Sequence, residues 1–190
     1  MAVNNKNKPK PTPEIVLKPI NKKEFITQVI KRKTKEKFLT INQKKYYDTL
    51  IESEITVCSG PAGVGKSYIT MKAALDLLSD PETPYEKIII VRPAVEAEEK
   101  LGSLPGNVEE KLDPYIFPSY YLMNKIIGKE NREKLKDADI IEVFALAFMR
   151  GMNIDNSILI FEEGQNATPS QMKLLLTRIG FNSKFFISGD

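Results

Sequence analysis

Apolar residues recur along the chain in two periods. Short β-prone runs at Ile55–Cys58, Ile88–Val91, Ile140–Phe144, Ile158–Phe161 and Phe185–Ser188 predict five strands. The run at 88–91 has no polar break, as expected for a strand covered on both sides. Between the runs the period lengthens. Ile69, Ala73, Ala74 and Leu77 would line the inner face of a helix from Lys66 to Leu78. Tyr46, Tyr47 and Leu50 mark a helix over 42–52, with Asn42 as its cap. Residues 107–128 read as helical with interruptions near Pro114 and Pro118. A last helix has Thr168 as N-cap, Pro169 in its first turn and Gly180 after its final turn. Strands alternating with helices predict an α/β fold, a parallel sheet flanked by helices.

The N-terminal part reads differently. Pro9, Pro11, Pro13 and Pro19 lie among Asn and Lys and predict an extended or disordered tail. Residues 22–38 mix lysines with Phe25, Ile26, Val29, Ile30 and Phe38, the pattern of a short basic helix. The expected organisation is a basic, partly disordered leader at 1–38 and one core domain at 39–190.

Composition narrows the chemistry. The 190 residues include no histidine, which excludes His acid–base catalysis and His metal sites. The single cysteine, Cys58, excludes an internal disulfide and fits a reducing compartment. No apolar run approaches a membrane span, and no apolar segment near the start serves as a secretory signal, so a cytoplasmic location is expected. The net charge of +3 hides an asymmetry. Residues 1–45 hold 13 Lys/Arg against 3 Asp/Glu, or +10; the other 145 hold 15 against 22, or −7. The basic part would attract a polyanion such as nucleic acid, or act only as a solvated leader.

The sharpest signal is Gly60-Pro61-Ala62-Gly63-Val64-Gly65-Lys66-Ser67, an ungapped G-x-x-x-x-G-K-[ST] between a strand and a helix. Glycines let successive amides turn inward around phosphate oxygens, and the following helix adds its positive end. Lys66 would reach the β- and γ-phosphates of ATP, and the Ser67 hydroxyl would ligate Mg²⁺. A phosphate loop also needs an acidic element. Ile158-Leu159-Ile160-Phe161-Glu162-Glu163 places two carboxylates at a strand's carboxyl end. Glu162 would face the metal through water and Glu163 would polarise the attacking water. Ser188-Gly189-Asp190 ends another strand and reads either as a γ-phosphate sensor or as a turn.

With these elements in order, the chain resembles the PhoH-like ATPases. The resemblance runs from about Thr40 and includes Val91-Arg92-Pro93, Leu104-Pro105-Gly106, Leu146-Ala147-Phe148-Met149-Arg150-Gly151, the acidic box Glu162–Asn166 and Leu176-Thr177-Arg178-Ile179-Gly180-Phe181. It implies a helicase-like P-loop ATPase core, Mg²⁺-dependent ATP hydrolysis, an RNA or single-stranded nucleic-acid partner and a homo-oligomer. It places Gln43 where related ATPases read adenine; on its own Gln43 is an ordinary helix-start residue. The family's box reads Asp-Glu-Ala-Gln, whereas this chain has Glu162-Glu163-Gly164-Gln165. Glu98 and Ala145 stand where Gly and Pro are usual. The resemblance also implies a further C-terminal strand beside the phosphate-loop strand; lacking it, that strand would be an exposed edge. The alternative to hydrolysis is an ATP-binding switch or assembly module. A small-molecule kinase is disfavoured by Glu163, which suits activation of water, and by the lack of an arginine-rich lid. Arg92 is read as a phosphate or nucleic-acid contact or as a partner of Glu96, Glu98 and Glu99. Arg150 and Arg178 are read as surface or structural residues or as arginine fingers, and Tyr46-Tyr47 and Tyr120-Tyr121 as helical core in preference to base-stacking platforms.

Overall fold

The computed structural model describes residues 21–30, 38–93 and 108–190, with the backbone alone for 108–115. The leader tail at 1–20 and the stretch carrying Glu96, Glu98 and Glu99 lie outside the described residues. Five strands form one parallel sheet: β1 (Ile55–Ser59), β2 (Lys87–Arg92), β3 (Ile141–Ala145), β4 (Ser157–Phe161) and β5 (Lys184–Gly189). Their spatial order is β1-β5-β4-β2-β3. The described helices are α1 (Lys22–Val29), α2 (Ile41–Glu52), α3 (Lys66–Ser79), α4 (Val108–Ile127), α5 (Lys129–Asp137) and α6 (Pro169–Leu176).

Alternation along the strands builds two apolar layers. Ile88, Ile90, Ile158, Ile160 and Phe186 point to one face, where they meet α1 to α5. Ile89, Val91, Leu159, Phe161, Phe185 and Ile187 point to the other, against Leu146, Met149, Ile154 and Leu175. This two-residue period is what a sheet covered on both faces requires. In the described sheet β1 pairs only with β5 and is an edge strand. Its Ile55 and Val57 are 44% and 71% exposed. Cys58 is half-buried there.

Several local expectations change. The cap of α2 is Thr40, not Asn42. Its hydroxyl accepts from the Gln43 amide at 3.1 Å, and its backbone is extended, the geometry an N-cap needs. α4 runs unbroken past Pro114 and Pro118. Each ring removes a helix hydrogen bond, but Ile116, Ser119, Met123 and Ile127 are buried, and packing carries the segment through. Thr168 and Pro169 do open α6, through a reciprocal capping box with Gln171. Gly180, however, lies beyond the end of α6 at Leu176 and does not stop it. It is needed for a close approach: a Cβ there would stand 2.0 Å from Asp155 Oδ1 and 2.6 Å from the Ile154 carbonyl oxygen.

α1 lies within the stretch read as leader, yet it belongs to the core. Ile26, Val29 and Ile30 are buried against the α3 layer. Lys23 Nζ donates to the Leu78 and Tyr85 carbonyl oxygens and to Thr83 Oγ1 at 2.9–3.0 Å, tying α1 to the end of α3. Burial lowers the Lys23 pKa, against the opposing pull of Asp80 and Glu86. Lys184 does similar work on β5, donating to the carbonyl oxygens of Ile51 and Ser53 at 2.8 and 2.6 Å behind the end of α2.

Truncation of a fully buried isoleucine leaves a cavity, so Ile26→Ala is expected to cost about 3 kcal/mol and lower Tm by roughly 10 °C. Leu39→Ala, at an 88% exposed position, should change stability by less than about 0.5 kcal/mol. Thermal unfolding of the two variants measures how firmly α1 is part of the folded unit.

Candidate functional site

All five strands run in one direction, so the loop after β1 and the residues after β4 and β5 meet at one end of the sheet. There they enclose a cleft of about 330 Å³. Ala62, Gly63, Gly65, Lys66 and Ser67 line one side; Glu162 and Glu163 line another, with Ser188, Gly189 and Asp190 between. Val64 is exposed at the tip of the loop, and Gly60 links it to β5 by donating its amide to the Gly189 carbonyl oxygen at 3.3 Å.

The loop's shape follows from its residue types. Gly63 and Gly65 have φ of +80° and +94°. At Gly65 a Cβ would also stand 3.0 Å from Gln43 Nε2, so both conformation and space favour glycine there. α3 begins immediately after it, leaving the first helical amides without helical partners at the mouth of the cleft.

Lys66 Nζ is committed to acceptors around this loop. It donates to the Gly60 carbonyl oxygen, to the Pro61 carbonyl oxygen at 3.0 Å and to Asp190 Oδ1 at 2.7 Å. The polar residue anticipated at the end of β5 thus meets the loop lysine directly. Gln43 reaches the loop as well: Nε2 donates to the Val64 carbonyl oxygen at 3.1 Å, and Oε1 accepts from the Leu39 amide at 2.9 Å.

The two glutamates after β4 have different surroundings. Glu162 is 3% exposed. Its Oε2 accepts from Arg92 Nη2 at 2.8 Å and from Ser119 Oγ at 2.7 Å. Arg92 therefore pairs with a carboxylate of the cleft itself, a partner its sequence neighbourhood did not indicate. Glu163 is exposed, with φ of +58° that swings it out of the strand direction. Gln165 was not singled out from sequence, yet it positions this corner. Its Nε2 donates to Glu163 Oε2 at 2.7 Å, and its Oε1 accepts from the Asp190 amide at 3.1 Å. Its place two residues after Glu163 in the acidic box was the only available signal.

The donor set fits a magnesium–triphosphate. The Lys66 cation, the glycine-rich backbone and Ser67 face two carboxylates across one cleft. Among the described residues no group of three or more acidic or cysteine side chains could hold a metal alone.

Among the other candidates, Tyr121 is exposed, not core. Arg178 donates to the Met152 carbonyl oxygen at 3.2 Å, and Arg150 is exposed. Tyr120 carries the Arg132 guanidinium 4.5 Å from its ring centre. Tyr47 donates to Asp76 Oδ2 at 2.6 Å.

Tyr46 lies below the loop with its hydroxyl 2.7 Å from Thr70 Oγ1, which itself donates to the Lys66 carbonyl oxygen. Burial pushes the Tyr46 pKa up; Thr70 opposes this, and Cys58 and Glu162 add to it. A folded-state pKa above the unfolded value of about 10 gives stability that is fully present below that pH and lost as pH rises past it. The stability advantage of wild type over Tyr46→Phe should therefore shrink between neutral pH and pH about 11. Paired melting curves across that range test this; a constant difference would refute it.

The family model for PhoH-like proteins matches residues 36–190. Over 151 residues the chain is 43% identical to the PhoH-like protein of Bacillus subtilis (strain 168), covering 80% of this chain and 47% of that one. It is 44% identical over 151 residues to the PhoH-like protein of Mycobacterium tuberculosis (strain ATCC 25618 / H37Rv), covering 80% and 42%. It is 33% identical over 150 residues to Protein PhoH of Escherichia coli (strain K12), covering 78% and 42%. The chain spans less than half the length of these curated relatives.

Proposed function

The chain belongs to the PhoH-like protein family, and on that premise we propose that it binds ATP with magnesium in the cleft and hydrolyses it. The observation that carries this reading is the shared cleft. Lys66 and Ser67 at the start of α3 face Glu162 and Glu163 at the end of β4 across one space.

Each residue has a role in this reading. Backbone amides from Ala62 to Gly65, with the first turn of α3, bind the phosphates. Lys66 exchanges Asp190 for the β- and γ-phosphate oxygens. Ser67 and Glu162 would hold magnesium, which would supply positive charge against the negative charge of the phosphates. Glu163, steadied by Gln165, orients a water and takes its proton. Gln43, already against the loop, would release the Leu39 amide and the Val64 carbonyl to read the adenine edge.

Steady-state phosphate release with the full chain tests the reading. Turnover should require Mg²⁺ and stop in EDTA. Lys66→Ala should lose nucleotide binding, and Glu163→Gln should keep binding while turnover falls by about 10²–10⁴-fold. Tight ATP binding by wild type without phosphate release would select the switch or assembly reading; absence of binding would refute both.

RNA or single-stranded nucleic acid is the proposed partner, and a homo-oligomer the proposed state. Family membership and the basic charge of residues 1–45 support the nucleic-acid partner. Deleting residues 1–20 removes four lysines and one glutamate while leaving α1 in place. RNA binding should weaken, and the slope of log affinity against log salt should flatten by up to about 3. Unchanged binding and slope would remove this segment from the interface.

A further inference from the structure

Glu162 stands between two cations' territories. On one side is the cleft, formed by the loop after β1 and the ends of β4 and β5. On the other is Arg92 at the end of β2, the neighbour of β4 away from β5. Arg92 Nη2 and Ser119 Oγ both bond the same oxygen, Oε2, which leaves Oε1 for the cleft.

A carboxylate this deeply buried needs a cation at all times, because an unpaired buried charge is strongly destabilising. A divalent ion that enters and leaves with nucleotide cannot supply that need between turnovers. Arg92 is placed to do so. Its own fixation is incomplete: Nε is buried and has no hydrogen-bond partner among the described residues. The guanidinium is therefore held largely through Glu162, and its grip is of the kind a divalent cation can displace.

We infer that Arg92 is a resident counter-cation, balancing Glu162 whenever the cleft holds no divalent metal and yielding the carboxylate when magnesium arrives. The inference rests on the metal role proposed for Glu162 and makes the site an ion exchanger. Magnesium replaces Arg92 at Glu162, as the triphosphate replaces Asp190 at Lys66.

Thermal unfolding of the full chain, without nucleotide, in EDTA and in millimolar MgCl₂, tests it. Wild type should melt alike in both. Arg92→Gln should melt roughly 10 °C lower in EDTA and recover at least half of that loss in magnesium. Arg92→Lys, which keeps the charge, should melt near wild type and ignore magnesium. The double variant Arg92→Gln/Glu162→Gln, which buries no charge, should fold in EDTA and also ignore magnesium. The inference is overturned if Arg92→Gln shows no magnesium-dependent recovery. It is equally overturned if Arg92→Gln fails to fold even in magnesium while the double variant folds. The assay uses metal alone, so its result is separable from phosphate release. A wild type that hydrolyses nothing would sink the hydrolysis reading and leave magnesium rescue of Arg92→Gln intact.

Discussion

The cleft exists because parallel strands deliver their carboxyl ends to one edge of the sheet. β1, β4 and β5 are far apart in sequence, yet their following residues must emerge side by side once the strands pair in register. Ile55 sits opposite Phe185, and Leu159 opposite Phe185 on the other flank. A slip of one residue would reverse which side chains enter each apolar layer. Register therefore fixes the packing and the distance from Lys66 to Glu162 and Asp190 together.

Charge is the second organising constraint. The cleft gathers cations and anions, with two ion pairs among them. Lys66 is matched by Asp190, and Glu162 by Arg92. The two pairs differ in environment. Asp190 is about half exposed, so its hold on Lys66 is screened by solvent and readily exchanged. Glu162 is almost wholly buried, so its charge must be met continuously. Loss of the partner without replacement is thus expected to have different consequences for the fold: mild at Lys66 and severe at Glu162.

Much of the architecture was legible from local pattern. The five strands were visible because a buried parallel strand needs an almost unbroken apolar run, and α3 because its apolar face repeats at helical spacing. The phosphate loop was legible because its glycines answer a backbone requirement that few other residues meet. α5 was missed for a physical reason. Its sequence, Lys129–Asp137, is nearly all polar, and it docks through Leu135 and through Arg132 laid on Tyr120. No apolar stripe announces such a helix. α1 was read as part of a basic leader because its lysines dominate the local composition. Lys23 is nevertheless spent on carbonyl oxygens at the end of α3, and Ile26 on the core.

The amino-acid sequence by itself determined the strands and the helices with an apolar stripe, the glycine-rich loop and the existence of a strand-end acidic pair. These depend on residues within a few positions of one another, through backbone freedom, periodicity and capping. Only the tertiary structure decided the pairings: Arg92 with Glu162, Asp190 with Lys66, Gln43 with the loop, and Gln165 between Glu163 and the end of β5. Each joins residues whose separation along the chain carries no signal. They meet because strand order and register bring their backbones within reach, and charge and hydrogen-bonding capacity then select the partner.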